Sequence, residues 1–123
     1  MELAEFERIA EEAYEALPDL FKDRIDNVRI VVEDFPGDEQ LARVGARSRE
    51  SLLGLYQGVP LSRRPGGYGM YAIVPDTITL FKRNIEAVAR QESQIRERIR
   101  EVLIHEIAHY FGMTEDEIRQ AGY

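Results

Sequence analysis

A chain of 123 residues is long enough to build one hydrophobic core and too short for two that stand unaided, so a single domain over residues 1–123 is expected. It contains no cysteine, which excludes disulfides, thiolate metal sites and a cysteine nucleophile; any transition metal has to be held by imidazole and carboxylate. A net charge of −7 works against nucleic-acid and anionic-membrane binding, and no apolar run of about eighteen residues is available to span a bilayer, so a cytoplasmic protein with neither partner is expected.

From Glu2 to Leu17 the apolar residues Leu3, Phe6, Ile9, Ala10, Ala13 and Leu17 recur at three and four, the spacing of one buried stripe on an acidic helix. Pro18 breaks the pattern, and Leu20, Phe21 and Ile25 predict a short second helix. Val28, Ile30 and Val32 alternate with Arg29, Val31 and Glu33 as in a strand buried mainly on one side, which Phe35-Pro36-Gly37-Asp38 stops. Leu41 and Val44 allow one or two helical turns between Glu39 and Arg49. Leu52 to Val59 reads as a strand in which Gly54 and Gly58 signal a bulge or a close approach by another backbone. Ser62 to Gly69 is a Gly- and Pro-rich loop with the length of a flap, followed by a brief strand at Met70 to Val74 and a further one at Thr77 to Lys82.

Asn84 to Arg90 reads as a short helix, and Ser93 as the N-cap of a long one whose apolar face is Ile95, Ile99, Val102, Leu103 and Ala108. On that helix Arg96, Arg98 and Arg100 alternate with Glu97 and Glu101, the pattern of a solvated, ion-paired face. Gly112 stands where a helix ending in a left-handed residue wants glycine, and Thr114 with Glu117 has the form of a capping box opening a final helix. The elements together predict an α+β fold: a small, mostly antiparallel sheet of three or four strands packed on the N-terminal helix and the long C-terminal one.

The two histidines of the chain fall in His105-Glu106-Ile107-Ala108-His109, an HExxH, at an arrangement that chance produces less than about once in five hundred such chains. Positions i and i+4 share a helix face, so both imidazoles can address one metal ion, while Glu106 sits where a carboxylate reaches a water on that ion. A catalytic zinc takes three protein ligands and keeps a position for water. His105 and His109 supply two; a chain reversal at Gly112 brings Glu115 or Asp116 back as the third. Glu106 is then the general base, and Tyr56, Tyr68, Tyr71, Tyr110 and Arg83 are candidate donors to the carbonyl oxygen, with Tyr68 and Tyr56 preferred.

The segment His105 to Gly112 with the acidic run Glu115-Asp116-Glu117 resembles the minimal zincins, a bacterial family of small zinc metallopeptidases, and so do Leu53 to Leu61 and Pro75 to Phe81. The likeness covers the chain from about residue 50 onward. It implies a peptidase with one Zn²⁺ acting on a peptide or protein substrate, held along the edge of the Leu52–Val59 or the Thr77–Lys82 strand. The related Asp-zincin pattern HExxHxxGxxD places an aspartate where this chain has Glu115, with Asp116 one residue later. A retired scaffold that binds metal, peptide or protein without turnover is the alternative, since so short a chain has little surface for specificity pockets.

Overall fold

The computed structural model describes residues 1–25, 27–45, 48–58 and 75–123. The predicted loop at 62–69 and strand at 70–74, with Tyr68 and Tyr71, lie outside these residues. Nine elements follow one another: α1 (Leu3–Glu15), α2 (Asp19–Lys22), β1 (Val28–Glu33), α3 (Asp38–Val44), β2 (Gly54–Gln57), β3 (Asp76–Phe81), α4 (Lys82–Val88), α5 (Glu92–Tyr110) and α6 (Glu115–Gln120) among the described residues.

The stripe expected on α1 is present: Phe6, Ile9, Ala10 and Ala13 are buried and Leu17 joins them beyond the helix end, although Leu3 is exposed. Pro18 serves as the N-cap of α2, whose Phe21 is fully buried. The stretch after Gly37 resolves as two turns of helix, opened by the Gly37 amide donating to Gln40 Oε1 at 2.8 Å and closed by Gly45 at φ 67°. The long helix begins before Ser93. Its N-cap is Gln91, where the sequence pattern placed Ser93, and Gln94 Oε1 reaches back to accept from the amides of Arg90 and Gln91.

The fold is α+β, and among the described residues its sheet has three strands in the order β1-β3-β2. Among the described strands the pairing is mixed where a mostly antiparallel sheet was expected: β1 runs parallel to β3 over six residue pairs, and β2 runs antiparallel to it over four. Hydrophobic alternation reports which face of a strand is buried and carries no information about the direction of its neighbour, which long intervening segments set. Nor is the Thr77–Lys82 strand an edge. As β3 it lies in the middle, paired on both sides, and Ile78, Thr79, Leu80 and Phe81 are buried in succession because both of its faces are covered.

Helix α5 packs against β2 and β3 and against α1, which also touches β1. Ile95, Ile99, Leu103, Ile104 and Ile107 place the core between them, together with Phe6, Ile9, Ile78 and Leu80. Gly54 permits the close approach: a Cβ there would stand 2.5 Å from Val102 Cγ1 and 3.2 Å from the Thr79 carbonyl oxygen. The glycine signal thus marked a real contact, made by a helix side chain as well as by backbone. Gly54→Ala is expected to lower stability by about 1–3 kcal/mol, read as a fall in the urea midpoint, because the added methyl would overlap the branched Val102 side chain and crowd the backbone of β3. No helix among the described residues is long and apolar enough to cross a membrane.

Candidate active site

His105 and His109 occupy the last two turns of α5, and their ring centroids are 6.3 Å apart. Each ring is aimed by its Nδ1. His105 Nδ1 lies 2.8 Å from the carbonyl oxygen of Glu101, and His109 Nδ1 lies 3.2 Å from that of Met113. A carbonyl oxygen only accepts, so both Nδ1 atoms carry hydrogens and donate, leaving the two Nε2 atoms as the outward-facing nitrogens.

The partner of His109 comes from the chain reversal. Gly112, at φ 84°, ends α5 with the Gly112 amide donating to the His109 carbonyl at 3.0 Å and the Met113 amide to the Ala108 carbonyl at 2.9 Å, the double bond pattern of a glycine-terminated helix. This turn swings the Met113 carbonyl back onto His109. Thr114 then caps α6, accepting from the Glu117 amide at 3.1 Å while Glu117 Oε1 accepts from the Thr114 amide at 3.1 Å. The first residue of α6 is Glu115, and its carboxylate lies 2.8 Å from His109 Nε2 and 3.7 Å from His105 Nε2. Asp116 turns away and pairs with Arg119. Of the two carboxylates the sequence left open, Glu115 is the one brought to the histidines.

Glu106 faces the other way round the helix, toward the sheet. Its Oε1 accepts from the Tyr56 backbone amide of β2 at 3.0 Å. Among the described residues its second oxygen has no hydrogen-bond partner. Residues 51–54 form one wall and Val102, His105 and Glu106 part of the other wall of a cleft of about 360 Å³.

A family model described as a zincin-like metallopeptidase matches residues 25–123. The chain belongs to the zincin-like metallopeptidase family. No curated protein matches it.

Whether the residues of this zincin-like chain suit a metal is answered by their chemistry and spacing. Two Nε2 atoms and a carboxylate are the donor set zinc takes, and Glu115 reaches both rings. Among the described residues no three such side chains stand as a finished cage. Glu115 closes directly on His109 at 2.8 Å, whereas donors sharing a tetrahedral zinc at about 2.05 Å sit roughly 3.3 Å apart. At 2.8 Å the pair is a hydrogen bond, with one hydrogen shared between Nε2 and the carboxylate, and it would have to open by about half an ångström to admit a metal ion in place of that hydrogen.

Burial, the largest influence, raises the pKa of Glu106 above its ordinary value, against the Tyr56 amide and the charges of His109 and His105, which lower it. Ionising Glu106 therefore costs more in the folded protein than in the unfolded chain. The resulting stability is fully present in acid, below the unfolded-state pKa, and is lost as pH rises through the folded-state one. Glu106→Gln, neutral throughout, is expected to raise the melting temperature of the metal-free protein by a few degrees at neutral pH. The gain should shrink to nothing as calorimetric scans move into acid.

The expected carbonyl donors are placed less simply. The Tyr56 hydroxyl donates to Asp76 Oδ2 at 2.8 Å, and burial together with Asp76 pushes its pKa far upward, so this phenol stays protonated and engaged with the sheet. What Tyr56 offers Glu106 is its backbone. Its ring stacks on Tyr110 with centroids 3.9 Å apart, and a Cβ on Gly58 would fall 2.0 Å from the Tyr110 hydroxyl. Arg83 pairs at 3.7 Å with Asp34. The anchoring roles of the Tyr56 amide and of the Glu101 and Met113 carbonyls were missed by sequence reasoning, since they act through main-chain atoms, whereas Gly58 was read as a close approach without its partner, Tyr110.

Proposed function

We propose that this chain is a zinc-dependent peptidase cleaving extended peptides laid in the cleft between β2 and α5. The observation that carries the reading is the meeting of His105, His109 and Glu115 one residue from a half-buried glutamate anchored to strand β2. His105, His109 and Glu115 would hold one zinc ion, which when bound lowers the pKa of a coordinated water and polarises a carbonyl oxygen.

The remaining work falls to the protein. Glu101 and Met113, through their carbonyls, fix the imidazoles with Nε2 outward. Tyr56 holds Glu106 by Oε1, which leaves Oε2 to accept a proton from the attacking water and to pass one to the departing amine. Partial burial makes that carboxylate a stronger base than one in water. Among the described residues strand β2 lies at the sheet edge, and Gly54, two positions from Tyr56, shares its outward-facing register beside Glu106, so an extended backbone can pair there.

The test joins metal analysis to peptide cleavage. One zinc per chain, with cleavage of a mixed peptide library that a chelator abolishes and added zinc restores, is the expected result. A zinc-saturated protein that cuts nothing would overturn it, and one that retains peptides intact would assign the chain a binding role.

A further inference from the structure

The cleft beside Glu106 extends along α5 away from the histidines, and a second hollow of about 300 Å³ continues it toward the start of that helix. The two share Arg98 and Glu101. Among the described residues Arg98 is the sole cation lining either hollow, in a chain whose net charge is −7. Its side chain is 41% exposed, and its one ion pair with a described residue, Glu101, spans 3.7 Å, longer than a hydrogen bond. Among the described residues Arg98 donates no hydrogen bond, and its planar set of donors faces the two hollows.

Seven residues separate Arg98 from His105, two turns of helix, which returns both to one face and sets them roughly 10 Å apart along the axis. An extended peptide covers that distance in about three residues. From this we propose that Arg98 is a specificity-determining residue, binding a carboxylate of the substrate two or three residues from the scissile bond. The inference rests on the peptidase reading for the nature of the ligand. The carboxylate is either an acidic side chain or the C-terminus of the peptide, and a guanidinium accepts both in the same forked geometry. Glu101 competes for Arg98 through a single long contact, so Glu101→Gln should sharpen the preference.

The experiment scans Glu against Gln through each position of a cleaved peptide, prepared as C-terminal acid and as amide. Glu is expected to raise kcat/KM over Gln about tenfold at one position, or the free acid to do so over the amide if the C-terminus is the ligand. Arg98→Gln should bring that ratio to about one, Arg98→Lys should keep part of it, and Arg98→Glu should turn it in favour of lysine. A purely structural role would not invert the preference. Absence of an acid preference, or one that survives Arg98→Gln, overturns the proposal. Should no peptide be cleaved, the peptidase reading fails separately, and fluorescence anisotropy of the same labelled peptides on the zinc-loaded protein decides. A Glu-over-Gln or acid-over-amide advantage in affinity that is lost in Arg98→Gln supports the proposal; equal or undetectable binding overturns it.

Discussion

Glu106→Gln is expected to reduce peptide hydrolysis by roughly two to four orders of magnitude, with zinc content and fold retained. Glutamine keeps the size of the side chain and an oxygen for the Tyr56 amide, so the contact of α5 with the edge of β2 survives. What it removes is the ability of the second oxygen to accept a proton. Because Glu106 does not share the cluster of His105, His109 and Glu115, the change should leave metal affinity almost untouched. Elemental analysis, melting temperature and kcat/KM on a single peptide separate the three quantities. Hydrolysis that persists at the wild-type rate in a fully zinc-loaded variant would remove Glu106 from the proton transfer. Since the same substitution should stabilise the metal-free protein at neutral pH, a loss of activity cannot be ascribed to unfolding.

Local pattern carried most of the candidate site. Four-residue spacing fixed His105 and His109 on one helix face, Gly112 ended the helix, and Thr114 with Glu117 opened the next, all interactions that span six residues or fewer. The fold class was legible for the same reason, because the stripe on α1 and the face of α5 are periodic. Long-range geometry was not. Alternation in Val28–Glu33 could not reveal a parallel neighbour more than forty residues away, and the burial of Thr79 followed from a central place in the sheet that its polarity did not announce. Tyr56 was singled out for its hydroxyl, yet it meets Glu106 through an amide that any residue but proline would provide. Gly54 and Gly58 signalled close approach without naming the partner, and the partners are Val102 and Tyr110 of α5 together with the Thr79 carbonyl.

The choice between Glu115 and Asp116 yields the sharpest test of the cluster. Glu115→Ala is expected to weaken zinc binding by about a hundredfold or more, since it takes away one of three donors, whereas Asp116→Ala should change it by less than about threefold. Both carboxylates lie in the first turn of α6, where each interacts favourably with the helix dipole, so both substitutions should cost a similar, small amount of stability, about 0.3–1 kcal/mol. That shared cost makes the pair a control for one another. The difference between them arises from direction: the cap at Thr114 sets α6 so that Glu115 points back at His109, while Asp116 turns along the helix to Arg119. Glu115→Asp shortens the reach by one methylene and should fall between the two, since the carboxylate now has to serve a Nε2 atom that already lies 3.7 Å away at His105. Competition against a chromophoric chelator measures all three affinities without reference to turnover. Zinc binding that is lost in Asp116→Ala and kept in Glu115→Ala would mean that the turn after Gly112 rearranges when metal enters, and that the carboxylate now resting on His109 is a placeholder for its neighbour.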